Sequence, residues 1–275
     1  MKFGMSDKII LSIGYTLLGV FALAILIPLV YVVIASFMDP NVLNNQGISF
    51  HLKDWTLDAY KRVLENKMIW RGFANSFFYS IAFTVISVFV TILAAYPMSK
   101  KEFVGRKFFN AIFIITMFFN GGLIPTFILV NQLHLVNTIW AILLPGAFNV
   151  WNMILARTYY QSIPKELREA SALDGASELQ HFFKIMIPLM KPSFAAMGIY
   201  QGMQSWNNFL WPMIVTNSID KITLPVGLQS LLSPYGNNYD ILIARSCFAI
   251  IPILALFVCF QRYFIEGMTA GGVKG

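Results

Sequence analysis

Six long apolar runs set the limits on what this chain can become. They lie near residues 9–36, 73–97, 108–130, 138–156, 192–215 and 241–263. About 20 apolar residues, as a helix rising 1.5 Å per residue, cross the ~30 Å hydrocarbon core of a bilayer. Inside lipid each backbone N–H and C=O needs an internal partner, which a helix supplies by itself. Apolar residues make up 57% of the 275, charged residues only 12%, and the mean hydropathy is +0.65. That balance excludes a water-soluble globule. The expected fold is all-α and polytopic. It has six transmembrane helices in one domain over 1–275, with a two-helix cytoplasmic loop at 164–188 between the fourth and fifth.

Charge gives the orientation. With the N-terminus inside, 13 Lys and Arg fall on that side and six on the other, with Arg245 inside the sixth run. Basic residues collect in cytoplasmic loops, so both termini and the 164–188 interval are expected in the cytoplasm. The net charge of +7 then reflects those loops, and no nucleic-acid partner is expected. Ala22-Leu23-Ala24 resembles a signal-peptidase site, but the apolar run continues beyond it, which favours an uncleaved anchor. Cys247 and Cys259 are twelve residues apart, about 18 Å on one helix, too far for a disulfide.

The interval Pro164–Pro188 is the longest charged stretch in the second half. Pro164 suits a first helical turn, and Gly175 is a natural stop. Ser177 and Gln180 form an S-x-x-Q capping box that starts a second helix. There Leu179, Phe182, Phe183, Met186 and Ile187 follow helical spacing, giving one apolar face that needs something to bury against. A partner protein satisfies that need, and so does the lipid surface.

Several spans carry interruptions. Asn120-Gly121-Gly122 with Pro125 falls in the third run, and Pro145-Gly146 breaks the fourth. Such backbone is tolerated at membrane depth where protein or a watery cavity satisfies it. In the fifth run Gly198 and Gly202 permit close helix packing. Beside them Gln201, Gln204 and Asn208 recur on one helical face, with Trp211 three residues further and Asn207 adjacent. Amides and flat indoles suit the hydroxyls and faces of a sugar. They suit interhelical hydrogen bonding and an interfacial tryptophan belt equally. Outside, Thr56 can cap a helix in the 38–72 loop whose Leu57, Tyr60, Val63 and Leu64 share a face. The 216–240 loop is polar and turn-rich, either an outward-reaching contact or a connector.

Some chemistry is missing. No Asp or Glu lies in the six runs, whereas ion-coupled transporters usually need ionisable groups there. His51, His134 and His181 lie outside them with no metal-site spacing, so no metal is expected. There is no P-loop sequence, so the chain does not itself bind ATP, and an enzyme is not expected. A transporter without an energy source must borrow one, and the 164–188 loop is its only large handle.

Glu169-Ala170-Ser171, then Gly175, then Ile185-x-Ile187-Pro188 resembles the EAA loop of binding-protein-dependent ABC importer permeases. Ser171 stands for the second alanine and Ile187 for leucine. The stretch Trp206–Pro212 and the closing residues 267–275 resemble the carbohydrate branch on the maltose-permease side. The resemblance implies a permease subunit of an ATP-driven sugar or oligosaccharide importer in a bacterial cytoplasmic membrane. Its implied partners are a second permease chain forming a heterodimer, two cytoplasmic ATPase subunits and an extracytoplasmic solute-binding protein. ATP and Mg would sit on the ATPases, with no cofactor on this chain. The implied ATPase-coupling residues are Glu169, Ala170, Ser171, Gly175, Phe182, Phe183, Ile185 and Pro188. Read from charge alone, Glu169 is a solvated residue with Lys165 one turn away. The expected substrate path takes Gln201, Gln204, Asn207, Asn208, Trp211, Asn120 and Arg245. A buried Arg245 would suit an acidic, uronate-bearing sugar, or would reach the interface or backbone carbonyls. The alternative function is a secondary transporter or channel for a small polar solute.

Overall fold

The first apolar run folds as one helix, α1 (Met5–Ala35), continuous through Pro28. The computed structural model describes residues 5–119, 121–229, 243, 244, 246–252, 254, 255 and 258. Among these the fold is all-α, with no strand beyond one isolated bridge between Met38 and Trp55. The chain divides into two compact units, one of residues 1–69 and 228–251, the other of 70–227 and 252–275.

In the first unit α1 leads into α2 (Pro40–Gln46), capped by the Asp39 carboxylate, and then α3 (Asp58–Glu65). Thr56 is not the cap: Leu57 holds the N-cap position of α3 with no side-chain cap bond, and the Thr56 hydroxyl, one residue earlier, accepts from the Asp58 N–H at 3.1 Å. The buried face differs from the expected one. Ala59 and Val63 are inside, while Leu57 and Leu64 are exposed. Helix α3 turns this way because Tyr60 is drawn to the end of α1. Its ring lies 5.0 Å from that of Phe37, and its hydroxyl hydrogen-bonds Ser36 at 2.7 Å.

The second unit is built along α4 (Lys67–Ser99), 33 residues long and apolar enough to cross a membrane, as α1 is. The third run is two helices, α5 (Arg106–Phe118) and α6 (Leu123–Gln132), separated where the Asn-Gly-Gly sequence predicts a break. The fourth breaks as expected at Pro145-Gly146, where Gly146 takes φ +81°. Its pieces are α7 (Ile139–Leu143) and α8 (Val150–Ser162), whose N-termini are capped by Thr138 and Asn149. The 164–188 interval forms α9 (Glu166–Leu173), α10 (Glu178–His181), a π-turn over Phe182–Met186 and α11 (Ile187–Leu189). Then α12 (Lys191–Trp206) leaves at 72° to the segment before it.

The fifth run corrects one expectation: it is not a single helix. After α12 the chain breaks at 207–209 and resumes as α13 (Leu210–Val215), followed by α14 (Leu224–Gln229). Pro212 is the physical reason. It has no N–H for the Asn208 carbonyl, and its ring would collide with that carbonyl in a continuous helix.

Two apolar clusters lie against the two ends of α4. Tyr79 packs with Val130, Ala141, Ile142, Leu143 and Val215, and Ile92, Ala95 and Met98 pack with Met153, Tyr160, Phe182 and Met186. Between them α12 comes close. A Cβ added at Gly202 would stand 3.3 Å from Thr84 Oγ1, which is the use of the small residues expected there. Near the start of α4 the 220–224 segment is strapped across the helix. Asn75 donates to the carbonyls of Asp220 and Ile222 at 2.8 and 2.9 Å, and Ser76 accepts from the Leu224 N–H at 2.8 Å.

Candidate functional site

Two places in the second unit gather the residues expected to act. The first is the helix pair of 164–188. Gly175 closes α9 in the left-handed conformation at φ +75°, a shape glycine adopts without strain. Both halves of the capping box form: the Ser177 side chain accepts from the Gln180 N–H, and the Gln180 side chain from the Ser177 N–H. The turn and the second start are therefore set by local chemistry.

The second helix does not keep the single apolar face its spacing suggests. A π-turn runs over Phe182–Met186, and the apolar residues divide between an inner and an outer side of the helix. Phe182 and Met186 turn into the chain's own core, while Leu179 and Phe183 face out, 69% and 52% exposed. The Phe182 ring centroid is 4.7 Å from that of Tyr96, and Phe182 is 4% exposed. Phe182 therefore anchors the loop to α4 and α8 and cannot be a surface contact. Glu169, Ala170, Gly175 and Pro188 are exposed, and Ile185 is half-buried. Glu169 forms no ion pair with Lys165 or with any other described residue.

Polar contacts that the sequence did not anticipate hold the two helices together. Ser171 Oγ lies 2.7 Å from His181 Nδ1, a buried hydrogen bond from α9 to α10. Burial pushes the His181 pKa down and favours the neutral imidazole. Glu178, at the first position of α10, takes Lys100 at 2.5 Å, Arg168 at 2.8 Å and the Tyr96 hydroxyl at 2.9 Å. The Lys100 ammonium first, then Arg168 and Tyr96, hold the Glu178 carboxyl at about 2 against the opposing effect of partial burial. Glu178 thus ties α9 and α10 to the end of α4.

The second place is a hollow of about 620 Å³ at the break between α12 and α13. Gln201, Gln204, Asn207 and Asn208 line it, joined by Asn149 and Tyr200. Gln201 is buried and donates to Ser87 Oγ on α4 at 2.8 Å, which leaves its carbonyl free to accept. Gln204 donates to the Tyr200 hydroxyl at 3.0 Å, and Asn207 donates to the Met203 carbonyl at 2.9 Å. Among the described residues no Asp, Glu, Lys, Arg or His lines the hollow. The expected stripe is thus divided between a helix and the break that follows it, and its amides meet round the hollow. Trp211 stands apart: its indole N–H bonds the Ala141 carbonyl at 2.8 Å and fixes α13 to α7. Asn120 and Arg245 lie outside the described residues. Asn149 was overlooked, although an Asn following Pro-Gly and opening a helix is a legible cap. Convergent amides and a tyrosine in a hollow of this size can bind a hydroxyl-rich, uncharged group.

Long apolar helices, a broken-helix hollow lined by amides and an anchored surface helix pair define a membrane permease. Residues 87–269 match the binding-protein-dependent transport system inner membrane component, and the chain belongs to that family. It is 43% identical to the arabinooligosaccharides transport system permease protein of Halalkalibacterium halodurans, over 97% of this chain and 96% of that one. It is 30% identical to the polygalacturonan/rhamnogalacturonan transport system permease protein of Bacillus subtilis, over 98% of this chain and all of that one. A chain in the crystal structure of a bacterial ABC transporter that imports the acidic polysaccharide alginate superposes with a TM-score of 0.87. That chain is 32% identical, and the match covers 96% of this protein and 99% of it.

Proposed function

We propose that this chain is one of two permease subunits through which an ATP-driven importer moves an oligosaccharide across a bacterial cytoplasmic membrane. The other permease is a different polypeptide. The 164–188 helix pair faces the cytoplasm and docks on an ATPase subunit, and ATP and Mg are held on the two ATPases. An extracytoplasmic binding protein delivers the sugar to the 38–72 and 216–240 loops. With six spans both termini lie on one side, and the excess of Lys and Arg in that side's loops supports the cytoplasm.

One observation carries the coupling role. Glu169 and Ala170 stand exposed and unpaired beside exposed Leu173, Leu179 and Phe183, on a helix pair whose other side is fixed to α4 and α8. A firmly anchored element with an uncovered apolar and acidic surface is suited to receive force from a partner. The amide hollow supplies the sugar contacts on this side of the path, bonding neutral hydroxyls. Recognition of any carboxylate falls to Arg245 or to the second permease chain.

The test is uptake and binding-protein-stimulated ATP hydrolysis by the reconstituted assembly. Glu169→Ala is expected to lower both at least about tenfold, as loss of a charged contact at the centre of an interface does, with membrane insertion unchanged. Full coupled activity in that variant would remove the coupling assignment. A stand-alone secondary transporter would carry solute in vesicles with no ATPase present, and family membership weighs against it.

A further inference from the structure

Behind α9 the helix pair walls a second hollow, of about 910 Å³, closed by the end of α4, the 100–106 turn and the end of α8. Six basic and three acidic side chains line it, a surplus of three positive charges. Glu178 is already engaged by Lys100 and Arg168. Arg106 and Arg157 form no ion pair with any described residue; Arg157 donates to Asn110 Oδ1 at 2.9 Å, and Arg106 sets a like charge against it. Two buried polar atoms on lining residues have no partner: the Arg106 Nε and the hydroxyl of Tyr160, a residue only 3% exposed. Most buried donors are satisfied, and two orphan donors lining one hollow with guanidinium groups that have no carboxylate partner suit an anion.

We propose that this hollow binds a phosphate-bearing anion, held by Arg106, Arg157 and the Tyr160 hydroxyl. A side-chain carboxylate from a partner is the competing occupant. It brings one charge and two oxygens to a space of this volume, whereas phosphate offers three strong acceptor oxygens. Arginine forks and a phenol present more donors than a carboxylate takes up. Two sources share the chemistry: the headgroup of an anionic lipid in the cytoplasmic leaflet, and a soluble phosphate compound. The lipid source rests on the cytoplasmic placement of 164–188 proposed above. Bound there, either would bridge the start of α5 to α8 behind the 164–188 helix pair.

The full chain, purified in detergent, is offered phosphatidylglycerol or phosphatidylcholine, and separately pyrophosphate or chloride at matched ionic strength. Native mass spectrometry counts bound lipid, and thermal unfolding reports the soluble ligands. The expected result is selective retention of phosphatidylglycerol, or a thermal shift with pyrophosphate; whichever probe binds names the source. Arg106→Gln is expected to weaken the effective probe about fivefold. Tyr160→Phe weakens it in the same direction while preserving the packing, and Lys61→Gln, an exposed charge elsewhere, leaves it unchanged. The proposal is overturned if the intact chain binds neither probe, or if Arg106→Gln and Tyr160→Phe bind as tightly as the parent. Weaker ATPase association in Arg106→Gln, with no binding of either probe, would assign the hollow to a partner's carboxylate instead. Because the readout is binding, its failure leaves the Glu169 coupling assay untouched, and the reverse also holds.

Discussion

Ser171 stands where the family pattern has alanine, and its hydroxyl is one half of the buried bond to His181. Replacing it with alanine restores the pattern but leaves a buried imidazole nitrogen unsatisfied. Ser171→Ala is expected to destabilise the chain by about 1–3 kcal/mol, read as a lower midpoint in thermal unfolding, and an unchanged midpoint would contradict the role of the bond. Glu178 gives a pH signature. Its folded pKa of about 2 lies below the ordinary 4.5, so its stabilising effect is complete above that ordinary value and fades as pH falls toward 2. Acid titration of Glu178→Gln is expected to lack the part of the stability loss that the parent shows in that window. Parallel acid profiles would exclude the cluster as a clamp. The capping box and the Gly175 stop were readable from three residues of sequence. The Ser171–His181 pair was not, because ten residues and the turn at Gly175 separate the partners.

At the scale of elements, apolar runs give lengths well and breaks poorly. The interruptions in the third and fourth runs followed from Gly and Pro, whereas the break at 207–209 was obscured by an apparently continuous amide stripe. Pro212 was the available signal, and its consequence lies four residues upstream. The second helix of the pair buries less of its apolar face than its spacing predicts: Phe182 and Met186 meet the core while Leu179 and Phe183 stay outside it. The α12–α4 seam behaved as its glycines suggest. Gly202→Val is expected to force α12 outward and disturb the Gln201–Ser87 bond, at about 1–3 kcal/mol. It would appear as a lower unfolding midpoint, and a variant as stable as the parent would mean the seam is looser than its 3.3 Å approach implies.

For the whole molecule, membrane residence and helical class follow from composition, and family membership from the E-A-S…G…I-x-I-P spacing. The substrate is less accessible to such reading, because the amides proposed to contact it converge only once the chain breaks after α12 and Asn149 is brought alongside from the start of α8. The two permeases compared above are named for arabinooligosaccharides and for polygalacturonan/rhamnogalacturonan. With an uncharged hollow, Gln204→Ala is expected to reduce uptake of neutral and acidic oligosaccharides to the same extent, in transport assays with a matched binding protein. A loss confined to the acidic sugars would place carboxylate recognition in the hollow itself.

Helix α4 holds Tyr96 against Glu178 at one end and Asn75 and Ser76 against the 220–224 strap at the other. The separation is about 30 Å along one uninterrupted helix. A helix resists compression far better than the loops around it, so α4 is suited to serve as a pushrod: under the coupling role proposed above, displacement of the helix pair would arrive at the strap as axial travel. The firmness of the Glu178 grip would then set how much of it is passed on, a property adjustable without altering the amide hollow.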